Sequence, residues 1–401
     1  MTERLRPLGW VLLAAGGTFA LTMGARQTMG LFVGSINTAT GIGLGGVSLA
    51  FAFGQLWWGL TQPLAGIVAD RRGPGQVLFV GVLLVALGTW LIPRMQGTLG
   101  LTLAIGVIAA GGAGLAGPSV LMAATTRLVA PERRAFATGV VNAGGSFGQF
   151  VFAPLAQAVT SAAGWMAAVQ TLGLVTLLAL PAAWVLRAAP RAPAAPGAPR
   201  HGSTREAVGR ALALPSFRLL AAGFFVCGFH VAFLATHLPG VVAACGLPPA
   251  VGAWSLGVLG LFNIVGSLGI GAAMGRWRMK SLLAAIYAAR ALAVLVFVLA
   301  PKTTPVLLVF AAVMGLTFLS TVPPTAGLVA RFFGPVHMAT LFGLVMFTHQ
   351  IGAFLGAWLG GKAFEATGSY DWMWYADIVL AVGAALLHLP IVERQIQPAA
   401  A

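Results

Sequence analysis

The sequence predicts an all-α membrane protein, with twelve transmembrane helices arranged as two pseudo-symmetric six-helix bundles. Three observations carry this expectation. Of 401 residues, 59% are hydrophobic and 8% charged, whereas soluble domains carry about 25% charged residues. Apolar runs of bilayer-spanning length, about 20 residues, can be marked twelve times: roughly 8–36, 44–69, 76–93, 98–126, 135–160, 164–187, 217–241, 250–274, 281–300, 304–330, 338–363 and 371–391. The halves repeat at an offset of about 204 residues, so that Arg127, Pro131 and Gly139 correspond to Arg331, Pro335 and Gly343. Outer-membrane strands would be about ten residues long and alternating, which these runs are not. The first run is too long for a cleaved signal and lacks a cleavage pattern. The expected bundles are 1–187 and 216–401. Between them, 188–215 is a Pro-, Ala- and Arg-rich cytoplasmic linker, within which 205–214 suits an amphipathic surface helix.

The formal net charge is +15, and of 23 Lys and Arg, 18 fall on one set of segments. These are the N-terminus (Arg4, Arg6), the loops after runs two, four, six, eight and ten, and Arg394. Arg94, Lys302 and Lys362 fall on the other side, and Arg26 and Arg290 lie within helices. The even-numbered loops and both termini are therefore expected to be cytoplasmic. A one-sided distribution assigns the charge to topology and lipid contact and argues against a nucleic-acid partner. Cys227 and Cys245 make no disulfide framework. The tight loops and Ala/Gly/Arg-rich composition suit a bacterial cytoplasmic (inner) membrane. Neither a phosphate-binding Gly-rich loop nor a metal-ligand cluster is recognisable, so no cofactor, metal or ATP-driven pumping is expected.

Run one holds Arg26 near its middle, beside Gln27. A guanidinium at that depth costs at least roughly 2.5–3.5 kcal/mol, and is kept only where it faces a wet cavity or a fixed partner. Run two sets Gln55, Trp58, Gly59 and Gln62 on one face. Runs three and six carry few polar side chains, as suits peripheral helices. Run four is interrupted by Gly111-Gly112, Gly114 and Gly117-Pro118, and run five presents Asn142, Gly145, Ser146 and Gln149 on one face. Run seven carries His230 and His237, and run eight Asn263. Arg290 in run nine is expected to bond neighbouring carbonyls. Run ten is expected to break or kink at Pro323-Pro324. Run eleven carries His349-Gln350. In run twelve, Tyr370, Trp372, Trp374 and Tyr375 read as an interfacial aromatic belt, which makes Asp377 wet. The repeat offset pairs Arg26 with His230, Gly59 with Asn263, and Gly145 and Ser146 with His349 and Gln350. Polar groups thus recur at matching depths, and parallel repeats place a substrate site at their interface near the midplane. The substrate-binding candidates are Arg26, Gln27, Gln55, Trp58, Asn142, His230, Asn263, His349 and Gln350. The proton-coupling candidates are His230, His237 and His349.

The segment 66–77 reads Gly66, then Asp70-Arg71-Arg72-Gly73, between runs two and three on the expected cytoplasmic side. Gly66 permits close helix approach, Asp70 can accept from a helix N-terminus and pair with a cation, and Gly73 permits a tight turn. The segment resembles the loop signature of the major facilitator superfamily. That resemblance implies a gating role, a latch between halves formed by Gly66, Asp70, Arg71 and Gly73, with Arg127 as partner. The second copy, 275–280, keeps the charge but loses the Asp. The basic residue on run one, the glutamines on runs one and two and the His-Gln of run eleven resemble the monocarboxylate-carrier and oxalate/formate-exchanger branch, which implies organic-anion transport. That branch typically has an arginine on helix eight. Asn263 stands there instead, and His230 is the residue that could replace the charge.

None of the eight carboxylates is expected at mid-membrane depth on a cavity-lining helix. With arginine and histidines as its ionisable groups the cavity is net positive and suits carboxylates, which a guanidinium binds through two parallel bonds. The expected function is secondary active transport of a small organic anion by alternating access, with proton coupling through a histidine or the substrate, in a monomer that is not an enzyme. The rival readings are efflux of amphipathic compounds through a pocket of Trp57, Trp58, Phe and Met side chains, and a transport-dead membrane sensor. The expected partners are the anion and the lipid bilayer.

Overall fold

The structure, a computed structural model, describes residues 7–187, 204–334 and 338–393. Arg4, Arg6, Pro335, Arg394 and most of the expected linker lie outside the described residues. The regular secondary structure among the described residues is helical, and twelve spans can be followed. In the first half, α1 is Leu8–Thr40, α2 Leu44–Arg72, α3 Pro74–Arg94 and α4 Gly97–Leu128. α5 (134–163) and α6 (165–185) form one helical stretch that Gly164 alone, at φ +85°, turns back on itself. In the second half, α7 is Pro215–Ala244, α8 Pro249–Ala273, α9 Met279–Leu299, α10 Thr304–Phe333, α11 Met338–Thr367 and α12 Asp371–His388. Nine helices among the described residues are long and apolar enough to span. One of these holds both α5 and α6. α2, with its glutamines and terminal charges, and α12, with two aspartates, complete the twelve.

Small residues set the close crossings. α5 packs along α1, and α11 packs along α7. A β-carbon on Gly148 would collide with the Ala20 carbonyl of α1, and one on Gly352 with the Phe225 carbonyl of α7. These glycines are one repeat apart, so the same backbone approach is built twice. α4 and α10 break where the sequence carries Gly117-Pro118 and Pro323-Pro324: α4 restarts at Pro118, and α10 unwinds after Thr317 and restarts at Val322. Proline lacks the N–H that a helix start would leave unpaired, so it begins a segment without cost. The short helix Thr204–Ala213 buries Ala207 and Ala211 against α7 and α11, within the stretch read as amphipathic.

The bundles touch along α2–α11 and α5–α8. Far from Asp70 the contact is tight. Ser48 lies against Gly361, and Gly257 and Gly260 sit on Phe150 and Ser146. Toward the Asp70 end, called the basic end below, the same faces are open. Asn142, Gly343 and Phe347 are exposed, and among the described residues nothing beyond the local helix backbone lies within 4 Å of where a β-carbon would stand on Gly66, Gly139, Gly271 or Gly343. The molecule is a wedge, shut at the far end and splayed at the basic end.

Two expectations for α12 are corrected. Tyr370 and Trp374 do not belong to an interfacial belt: both are buried, and Trp374 packs edge-on against Phe233, Phe297 and Phe310 at 5.0–5.7 Å between centroids. Asp377, three residues on and hence on the same face, is 0% exposed rather than wet. Trp372 and Tyr375 point the other way and are exposed.

Candidate functional site

Arg26 sits just before the 3-10 turn Met29–Phe32 that tightens α1. Its Nη2 donates to Gln55 Oε1 at 2.5 Å, and its guanidinium lies 4.7 Å from the Trp58 ring centroid. Gln55 and Trp58 are three apart on α2 and so present themselves together. Arg26, Gln27 and Gln55 line a cavity of about 50 Å³, with Thr89 of α3 and Thr236 of α7 also on its wall. A water needs about 10–15 Å³ measured this way, so the cavity holds a few waters or the head of a small anion. The guanidinium faces neither lipid nor a set of main-chain oxygens. Its hydrogen bond and its stacking partner both come from α2, and it borders a small, mainly apolar hollow whose polar wall groups are Gln27, Gln55, Thr89 and Thr236.

Around this centre buried polar atoms go unpaired. Trp58 Nε1, Gln149 Nε2, and both amide atoms of Gln350 have no hydrogen-bond partner among the described residues. Such a group costs about 1–3 kcal/mol, and a native fold tolerates several together where a ligand is to be received. Gln350 lies where a β-carbon on Gly59 would stand, so α11 brings its amide against α2 next to Trp58. This joins Arg26, Gln55, Trp58 and Gln350 in one region shared by the two bundles.

Other candidates go elsewhere. Asn263 is spent as a clasp. Its Nδ2 donates to Ser146 Oγ at 2.7 Å across the bundle interface, while its Oδ1 accepts from the Leu319 N–H at 3.0 Å at the break in α10. His237 Nε2 lies 2.7 Å from the Ala357 carbonyl, and its ring packs between Phe233 and Tyr370, away from the Arg26 cavity. His230 turns into the second bundle toward Asp377, 3.1 Å from its carbonyl oxygen. His349 stacks 4.9 Å from Phe224 and contacts Cys227. Asn142 stands a turn from Ser146 on the same face of α5, exposed in the open part of the wedge. Trp57 stacks on Phe53 at 6.3 Å.

Asp70 and Arg127 form an ion pair joining the ends of α2 and α4 within the first bundle. Gly73 turns the chain at φ +90°, which favours glycine, while Arg71 and Arg72 are exposed and Gly66 has open space beside it. The degraded second copy is repaired from a distance that loop reading does not span. Glu393, beyond α12, accepts from the Lys280 N–H at 2.7 Å and lies 3.3 Å from Arg331 Nη1. Arg331 is the repeat counterpart of Arg127, so a carboxylate is supplied to both.

Arg290 follows the expectation of carbonyl bonding. Its Nη2 donates to the Thr317 and Phe318 carbonyls (2.7 Å for the latter), which the break in α10 leaves without helical partners. What sequence reading missed is the company it keeps: Cys227, His230 and Asp377 all lie in the same buried region. Asp377 is thus a buried carboxylate rather than a wet one, although α12 does not line the Arg26 cavity.

A family model described as Major Facilitator Superfamily matches residues 14–357. Monocarboxylate transporter 13 of Rattus norvegicus is 26% identical over 398 residues, covering 94% of this chain and 86% of that protein. An uncharacterised 38 kDa protein encoded in the 23S RNA operon of Thermoproteus tenax is also 26% identical, covering 97% and 96%. Among solved structures, a bacterial homologue of the human lysosomal transporter Spinster, in an inward-facing and unoccupied conformation, superposes with a TM-score of 0.73 at 18% identity. It covers 95% of this chain and 96% of that one, a likeness of fold. With its paired bundles and a family match over most of its length, the chain is a multi-pass membrane protein and a transporter of the major facilitator superfamily.

Proposed function

We propose that the protein is a secondary carrier of a small organic anion, most simply a monocarboxylate, working by alternating access. The observation that carries this reading is the placement of Arg26: a guanidinium within a spanning helix, held by Gln55 and Trp58 at a small cavity, with Trp58 Nε1 and the Gln350 amide unpaired nearby. A carboxylate would take paired bonds from Arg26 and satisfy the orphaned donors. The monocarboxylate transporters among its relatives support the substrate class. The bundles 1–187 and 216–401 act as the moving bodies on the linker 188–215, with the basic end cytoplasmic by the distribution of Lys and Arg. The membrane is a bacterial cytoplasmic membrane, and the carrier works as a monomer.

The test is counterflow of labelled lactate, pyruvate, oxalate and benzoate in proteoliposomes, preceded by a thermal-shift screen against organic acids and hydrophobic cations. A carboxylate is expected to raise the melting temperature and to exchange. Arg26→Ala is expected to abolish exchange and Arg26→Lys to retain a fraction of it. Unchanged uptake in Arg26→Ala removes the assignment, and stabilisation by hydrophobic cations alone moves the reading to efflux of amphipathic compounds.

A further inference from the structure

The interior of the second bundle holds ionisable groups that neither the Arg26 cavity nor ordinary packing uses. His230 on α7 and Asp377 on α12 are both fully buried, with Nε2 of the imidazole 3.1 Å from the Asp377 carbonyl oxygen and 3.4 Å from its Oδ1. The carbonyl oxygen can only accept, so Nε2 carries a hydrogen, and in the neutral ring Nδ1 is then the bare nitrogen. Nδ1 and both carboxylate oxygens have no hydrogen-bond partner among the described residues. Arg290 of α9 adds a buried positive charge whose Nε and Nη1 are also unpaired. The other titratable groups facing this region are Cys227 on α7, Tyr287 on α9, whose hydroxyl donates to the Gly223 carbonyl at 2.6 Å, His349 on α11, and His388 on α12, stacked on Tyr287 at 5.2 Å. α10 contributes carbonyls and the Thr321 hydroxyl, 3.1 Å from Cys227 Sγ.

A buried carboxylate kept for structure collects donors. This one has an imidazole at contact distance, an arginine nearby and both oxygens open, as does the free nitrogen of its histidine. We propose that the His230–Asp377 pair is the proton-binding site of this carrier, taking up and releasing one proton per cycle. The proposal rests on the carrier reading above. The proton passes from water onto the pair, forming one N–H or O–H bond, and returns to water on the other side. It belongs to the pair rather than to either residue. His349 and Cys227 form a polar link from α11, next to Gln350, toward Arg290. Arg290 then joins the pair to the break in α10, whose other side Asn263 ties to Ser146 at the bundle interface. A charge change at the pair alters the field on Arg290, and so the hold on an unwound segment in contact with the interface.

The test uses purified full-length protein, wild type, Asp377→Asn and His230→Gln, with melting temperatures recorded for each. Infrared difference spectra are taken across the range in which a histidine ordinarily titrates. The wild type is expected to show a protonated-carboxyl band that changes with pH, and Asp377→Asn to lack it. This readout needs no substrate, so it stands even where no carboxylate is carried. In proteoliposomes, a one-unit inward pH gradient is expected to raise wild-type accumulation of the exchanged carboxylate up to about tenfold over empty vesicles. Both variants are expected to lose that stimulation, with Asp377→Asn keeping counterflow within about threefold of wild type, as for uncoupling at unchanged binding. A gradient response equal to wild type in either folded variant, loss of counterflow in Asp377→Asn in step with its loss of gradient response, or absence of the band in wild type overturns the proposal.

Discussion

Arg26 was legible because of a solvation conflict: a charge in an apolar run must have a reason. That Gln55 and Trp58 share a face of α2 was legible from spacing; that this face meets Arg26 was not. Nor was the facing of the histidines. α7 is apolar on all sides, so nothing in its periodicity says whether His230 looks into the central region or into its own bundle, and packing with α12 decides it. Asp377 was misread because the neighbouring aromatics resemble a belt. Three-residue spacing from Trp374 was the signal that would have carried it inward. At this scale, Gln55→Ala removes the bond that aims Arg26, and counterflow KM is expected to rise about tenfold, as for loss of one charge-assisted bond, with kcat less affected. Cys245, half-buried just beyond α7, has its thiol pushed above the ordinary range by burial, against the opposing pull of Lys302. The thiolate reacts, so labelling with an impermeant maleimide on intact cells is expected to be slow at neutral pH and to quicken as pH rises.

At the scale of elements, the helix breaks and the Asp70–Arg127 pair were legible where proline, glycine and charge mark them locally. The kink in α10 followed from Pro323-Pro324, but its two partners, Arg290 on the carbonyls and Asn263 on the Leu319 amide, lie on other helices and leave no local trace. Glu393 likewise stands far along the chain from the loop it completes. Asp70 pairs with Arg127 inside one bundle and not between the halves, so an Asp70 latch between halves requires that pair to exchange partners when the basic end closes. Asp70→Asn is therefore expected to lower kcat several-fold while KM changes little. Equal turnover with altered KM would count against a latch. Glu393→Gln weakens the hold on the start of α9 and on Arg331. Because Arg331 is more than half exposed, screening keeps the expected loss to about 1 kcal/mol, read as a small fall in melting temperature.

At the scale of the molecule, the repeat was the most informative feature of the sequence, because equal offsets fix equal depths. The glycines Gly148 and Gly352 return that symmetry as two matching backbone crossings. The wedge shape was not legible, since a sequence encodes both ends of a carrier's cycle and favours neither visibly. Opening at the basic end predicts that Asn142→Cys, in a background lacking both native cysteines, reacts with a water-soluble maleimide from that side, and that an exchanged carboxylate slows the reaction. One further feature bears on how the protein is made. Between α5 and α6 a single residue, Gly164, reverses the chain, and its repeat counterpart Gly368, at φ +72°, begins a three-residue corner before α12. After Arg134 the chain carries no charged residue through Val185, the turn between α5 and α6 included. With so short a turn, α5 and α6 are expected to enter the lipid as a hairpin, which glycosylation-site or crosslink mapping of insertion intermediates of α5 alone and of the pair would check.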